Sequence, residues 1–137
     1  MTRHAFETSI AIARPRAEVF AFVADPTRFP LWNSAVTSVE PASGSAYLMR
    51  RRLPTGPAEN GLEIIASEAP AAFAVRTTYG PTPFTYRYRF IEADGATTVT
   101  LTGEVELAGV YALLPARAFL HGVDANLTTL RRLLERR

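Results

Sequence analysis

The sequence predicts an α+β fold: a seven-stranded, curved antiparallel sheet around a long carboxy-terminal helix, with two short helices between the first and second strands. Three observations predict it. Ala116, Phe119, Leu120, Val123, Leu127, Leu130 and Leu134 recur at helical spacing near the end of the chain, a single apolar stripe about 100° wide. Residues 35–108 read as consecutive period-two segments separated by short turns. Two proline-marked helix starts, at Pro15 and Pro26, sit between the first alternating segment and the rest.

In order along the chain, Phe6, Thr8, Ile10 and Ile12 alternate with Glu7, Ser9 and Ala11, which makes a strand with one buried face. Pro15 suits a first helical turn, where its missing N–H costs nothing. Ala17, Val19, Phe20, Phe22 and Val23 follow as a short apolar helix. Asp25-Pro26 pairs a capping acid with a proline and starts a second helix, which Pro30 keeps brief; Leu31 and Trp32 close it. Strands are then predicted over 35–40, 46–53, 61–68, 73–79, 84–92 and 97–108. Their turns are carried by 41–44, Pro54-Thr55-Gly56-Pro57, Pro70, Gly80-Pro81-Thr82-Pro83 and Ala93-Asp94-Gly95. Connections this short make neighbouring strands antiparallel hairpins.

Alternation also assigns faces. Val99, Leu101, Val105 and Leu107 share one side of the last strand; Phe84, Tyr86, Tyr88 and Phe90 one side of the sixth. Phe73, Val75, Thr77 and Tyr79 form the covered side of the fifth; if Tyr47, Met49 and Leu53 face inward on the third, period two puts Arg51 inward with them. A final helix starting at Tyr111 would run for about 27 residues, or about 40 Å.

The chain has 137 residues, 47% hydrophobic and 20% charged, which fits one domain, 1–137, with one core. All 15 basic residues are arginine, and together with the abundant alanine they point to a GC-rich, bacterial genome. The net charge of +2 is scattered and accompanied by acids, which argues against a nucleic-acid partner. No apolar run is long enough to insert in a membrane. The amino terminus lacks the apolar segment of a secretory signal, so a cytoplasmic location is expected. Cysteine is absent, and His4 and His121 lie at opposite ends of the chain, so no metal site is expected. Without a P-loop or a Gly-x-Gly-x-x-Gly run, no cofactor is expected either.

The order of elements is that of the helix-grip fold. Ile12-Ala13-Arg14-Pro15-Arg16-Ala17-Glu18-Val19-Phe20, Asp25-Pro26 and Pro30-Leu31-Trp32 resemble the start of the SRPBCC (START-like) superfamily, and its polyketide cyclase/dehydrase-like branch in particular. Ser67-Glu68-Ala69-Pro70, Gly95-Ala96-Thr97-Thr98-Val99-Thr100 and Leu130-Arg131-Arg132-Leu133-Leu134-Glu135 extend the likeness over the whole chain. The resemblance implies an apolar ligand held between sheet and long helix. Members of the superfamily include aromatase/cyclases, lipid or quinone carriers and interaction partners, and a fold does not select among these.

The expected site is therefore a cavity beneath the start of the long helix. Small residues there, Ala112 and Ala116, would face Tyr47, Met49, Tyr79, Phe84, Tyr86 and Tyr88, with Phe119 beside them and Trp32 either packing the short helices or forming a lip. A tyrosine supplies an apolar wall with a polar tip; the alternative is that the rings interdigitate and leave no space. A dry void of about 300 Å³ would cost about 7 kcal/mol, so a real cavity should be wet, mobile or occupied. Arg51 turned inward would anchor a ligand carboxylate or stabilise an enolate. The competing reading, that an edge-near third strand lets Arg51 reach solvent, is favoured by the rarity of buried arginines. Tyr86 and Tyr88 can donate to a carbonyl oxygen, or bond to backbone. Asp25 reads as a cap, and His121 as a solvated helix residue. No catalytic residue can be assigned. Binding of a small hydrophobic or aromatic, lipid- or polyketide-like molecule is the first reading, cyclase/dehydrase chemistry the second, and a protein–protein module the third.

Overall fold

The structure, a computed structural model, describes residues 2–113 and 115–137. Seven strands form one antiparallel sheet: β1 (Thr2–Ile12), β2 (Val36–Ser43), β3 (Ala46–Leu53), β4 (Gly56–Glu68), β5 (Ala72–Tyr79), β6 (Phe84–Ala93) and β7 (Ala96–Leu107). Their order is β1-β7-β6-β5-β4-β3-β2. The first strand pairs with the last, Ile10 opposite Val99, and each later pair is a hairpin. Register shifts mark bulges in β2, β4 and β5, which bend strands and let a sheet curl around a helix. The helices are α1 (Arg16–Val23), α2 (Phe29–Trp32) and α3 (Ala116–Glu135), with 3-10 turns at Pro26–Arg28 and Gly109–Leu113. This is the α+β helix-grip architecture.

Local chemistry explains the helix starts. Pro15 is extended, at φ −64 and ψ 149, and opens α1 without giving up a needed N–H. The Asp25 carboxylate accepts from the Thr27 N–H at 3.1 Å and the Thr27 hydroxyl at 2.6 Å, the expected cap. The long helix departs from expectation. It spans 20 residues, from Ala116, and Pro115 at φ −68 and ψ 145 precedes it. A proline five residues inside a helix begun at Tyr111 would remove one N–H and clash with the carbonyl four residues back. Part of the longer helix expected from Tyr111 lies at Leu114, outside the described residues.

The turn between β3 and β4 is also tighter than expected: β4 already begins at Gly56, and Pro57 sits in the strand opposite Arg52. Gly56 has φ +123, a conformation that favours glycine, which lets the chain reverse within Pro54-Thr55.

Two strong attachments hold α3 to the sheet. Val123, Leu127, Leu130 and Leu134 are buried, while Ala116 at the start of the predicted stripe is exposed. At the other end, Arg14 Nε donates to the Leu134 carbonyl at 2.9 Å, and Glu135 Oε2 accepts from the Ala13 N–H at 2.8 Å. An arginine on the last carbonyls of a helix satisfies acceptors that have no helical partner and opposes the negative end of the helix dipole. Arg14→Ala should lower stability by about 1–2 kcal/mol, read from urea denaturation. A change under a few tenths of that would show that burial of the leucines alone docks the helix.

Candidate functional site

The core is continuous from sheet to helix at the carboxy-terminal half of α3 and opens at its amino-terminal half. A cavity of about 370 Å³ lies there, and its wall includes Trp32, Met49, Arg51, Phe84, Tyr86, Tyr88 and Phe119 among the residues singled out by sequence. Lining residues that are exposed, namely Ser34, Pro54, Ala118 and Gly122, mark the rim. The mouth thus lies between the loop after α2, the β3–β4 turn and the first turns of α3.

Four residues expected in the wall are outside it. Tyr47 packs against the core from the far part of β3, beyond Met49. Tyr79 is 55% exposed. The cause is the register shift in the β4–β5 ladder, where Leu62 faces Thr77 but Gly61 faces Tyr79. The extra residue, Thr78, reverses the alternation, so Tyr79 leaves the inner face. Its ring instead lies over Gly61, where any Cβ would collide with it. Ala112 and Ala116 are displaced because the helix begins at 116. The small helix residues that lie along the cavity are Ala118 and Gly122, one turn apart.

Arg51 turns inward, contrary to the favoured sequence reading. β2, not β3, is the edge strand, so solvent is not beside it. Its Nε donates to Asn60 Oδ1 at 2.9 Å, and Nη2 donates to the Pro81 carbonyl at 2.7 Å and to Thr82 Oγ1 at 2.5 Å. The guanidinium stands 5.4 Å from the centre of the Phe84 ring, a cation–π distance. Asn60 is fully buried and donates from Nδ2 to the Tyr79 and Pro81 carbonyls, both at 3.0 Å. Together they pin the 80–83 loop, in which Thr82 holds φ 47. Sequence reasoning missed Asn60. Its only signal was an amide in the alternation phase of Leu62 and Ile64, on the covered face.

The ring wall is ordered by mutual contact. Phe84 and Tyr86 stack at 4.3 Å, Phe6 meets Tyr86 edge-on at 5.9 Å and Phe119 at 5.6 Å. Gly103 opposite Phe6 makes this possible, since a Cβ there would strike the Phe6 ring. Trp32 does both things the sequence allowed. It packs edge-on against Phe29 at 5.7 Å and Tyr88 at 6.3 Å, and it lines the cavity. Its Nε1–H is buried and has no acceptor among the described residues.

Neither Tyr86 nor Tyr88 makes a hydrogen bond from its hydroxyl to another described residue, so the backbone-bonded alternative does not hold. Burial pushes the Tyr86 phenol up to about 12, against an opposing pull from the Arg51 guanidinium. Burial, and secondarily the neighbouring Tyr86, pushes Tyr88 up further. The folded chain keeps these protons where the unfolded chain, near its ordinary pKa of about 10, releases them. Their contribution to stability is complete below about pH 10 and falls as pH rises from there toward 12, by up to about 1.4 kcal/mol per pH unit per tyrosine. Denaturation series from pH 9 to 11 should show that fall, and the double variant Tyr86→Phe, Tyr88→Phe should flatten it. Equal slopes would refute the assignment.

His121 is exposed on α3, as its spacing implies. Among the described residues no group of His, Asp and Glu side chains is placed to hold a metal, and no helix is long and apolar enough to cross a membrane.

The family model described as "Polyketide cyclase / dehydrase and lipid transport" matches residues 3–135. No curated protein matches in sequence. Among solved structures, a conserved protein from Geobacillus kaustophilus is similar with a TM-score of 0.84 at 14% identity, over 97% of this chain and 96% of its own. A START superfamily protein from Mycobacterium smegmatis has a TM-score of 0.76 at 13% identity, over 96% and 94% of the two chains. The di-domain ARO/CYC StfQ from the steffimycin biosynthetic pathway has a TM-score of 0.75 at 13% identity, over 96% of this chain and 44% of its own. Identities this low speak for the fold alone.

Proposed function

Because this chain belongs to the polyketide cyclase/dehydrase and lipid transport family, we propose that its cavity binds a small hydrophobic or aromatic molecule between the sheet and α3. The observation that carries this reading is the open space of about 370 Å³ beside Phe84, Tyr86, Tyr88 and Phe119. The rim is exposed, so water enters this space, and an apolar molecule that displaces the water from the ring wall gains the hydrophobic free energy of the surface it covers.

Binding is preferred to cyclisation on chemical grounds. Enolising a substrate needs a group that takes a proton near neutral pH. Among the described residues of the wall there is no carboxylate and no imidazole. The two phenols are held away from ionisation, and arginine stays protonated. A protein–protein module is expected to carry an exposed apolar patch of several hundred Å² and no pocket, and the cavity opposes that reading.

Native mass spectrometry of the protein as purified, with thermal shift against a panel of fatty acids, flavonoids and naphthalene derivatives, tests the proposal. A co-purified small molecule, or a melting temperature raised several degrees by a panel member, is expected. No bound mass and no shift with any compound would remove the reading.

A further inference from the structure

This inference rests on the binding reading and narrows it. We propose that the cavity selects an anionic ligand, a small apolar molecule that carries a carboxylate, and presents that group to the Arg51 end of the ring wall.

The argument is a comparison of what the wall donates with what it accepts. Arg51 is the only charged side chain among the described lining residues, so the wall bears one positive charge and no negative one. It is also held in place: Asn60 and the 81–82 backbone fix the guanidinium beside the Phe84 ring. A cation fixed before the ligand arrives acts without losing conformational freedom on binding. Its field reaches the neighbouring phenol, because Arg51 favours negative charge at Tyr86. An anion placed between the two experiences the same attraction.

The neutral polar groups agree. Asn33 Oδ1 already accepts from the Ala35 N–H at 3.1 Å, and Asn126 Oδ1 from the Ser34 N–H at 3.2 Å. A backbone N–H only donates, so each amide oxygen is oriented by that bond. Thr82 Oγ1 is engaged by Arg51. The phenols of Tyr86 and Tyr88 keep their protons and make no bond to a described residue, so they stand as donors at any physiological pH. Trp32 Nε1–H lies beneath the surface of the wall, out of reach of the open space, and adds nothing to this balance. A wall that mostly donates, in a low-dielectric space, favours a ligand that accepts and carries negative charge. An ammonium would meet a like charge and exchange its hydration for neutral acceptors only, the phenol, hydroxyl and amide oxygens of the wall.

The test uses the whole protein and four probes: 2-naphthoate, 2-naphthalenemethanol, 2-(aminomethyl)naphthalene as its cation, and decanoate. The first three share one ring system and differ in the polar group. Calorimetry or fluorescence quenching should find naphthoate bound at least about tenfold tighter than the alcohol, the scale of a charge-assisted hydrogen bond. The ammonium should be the weakest of the three. Decanoate beside naphthoate distinguishes an acyl-chain acid from a ring acid as the source of the carboxylate, and tight binding of either agrees with the proposal. In Arg51→Met, the advantage of naphthoate over the alcohol should shrink to within about threefold. Since Arg51 also pins the 80–83 loop, Tyr86→Phe serves as a second variant; it should cost naphthoate several-fold and the alcohol less.

Equal binding of naphthoate and the alcohol by the wild-type protein, or preference for the ammonium, would overturn the anion proposal and leave the cavity as a neutral hydrophobic site. An undiminished naphthoate advantage in both variants would overturn it as well. No binding of any probe would remove the binding reading itself, and this inference with it.

Discussion

Asn60→Leu is expected to cost about 3–5 kcal/mol of stability, although the two side chains have similar volume. No cavity is created, so the loss is polar. Arg51 Nε loses the acceptor at 2.9 Å, and the carbonyls of Tyr79 and Pro81 lose the donor they share. A buried hydrogen bond to a charged group is worth about 1.5–3 kcal/mol, and each stranded neutral partner costs about 1–3 kcal/mol, partly relieved where Arg51 still donates to Pro81. The 80–83 loop should loosen with it, since Thr82 keeps its left-handed conformation at φ 47 against its own preference. Urea denaturation measures the loss, and protection of the amides from 80 to 83 against hydrogen exchange reports the loop. A cost below about 1 kcal/mol would mean that the network is incidental and that Arg51 is placed by ring packing alone.

Gly122→Trp should abolish ligand binding, by about a hundredfold or more, while leaving the fold intact. Gly122 lies along the cavity, on a helix, and a Cβ built there meets nothing within 4 Å. An indole at this point has an apolar hollow beside it and no backbone to displace. The backbone gains too, because glycine inside a helix is less favourable than most residues by about 0.5–1 kcal/mol. Gly122→Ala is the control: it should gain that stability and keep binding, since one methyl takes up little of about 370 Å³. A tryptophan variant that binds naphthoate as the parent does would place the ligand elsewhere. A variant that fails to fold while the alanine variant is stabilised would instead show that this end of α3 tolerates no displacement of the rim.

Much of this architecture was legible because its signals are local. The capping bond from Thr27 to Asp25 follows from Asp25-Pro26-Thr27 alone. The inward faces of β6 and β7 follow from alternation, and Phe90, Val99, Leu101 and Leu107 are buried as that alternation requires. The buried leucines of α3 follow from their period. Pro115 is a further local signal: it ends any helix approaching it from Tyr111, and it places the small-residue gap at Ala118 and Gly122 and not at Ala112 and Ala116. Gly122 and Asn126 stand three and seven residues after Phe119, so the same helical period that marked Phe119 also marks them.

By itself, then, the sequence determined the class of the fold, the hairpins that link β2 to β7, the inward face of most strands and most of the rings that wall the interior. Each of these depends on spacing over a few residues, which a chain carries in one dimension. Only the tertiary structure decided that the interior is not filled, that Tyr79 lies outside and that Arg51 points in. Those outcomes depend on a bulge that reverses one strand's alternation and on a second strand that shields β3 from the edge. They depend too on a buried amide that satisfies the arginine across three separate segments. Volume and hydrogen-bond closure are properties of segments brought together, and no window along the chain contains them.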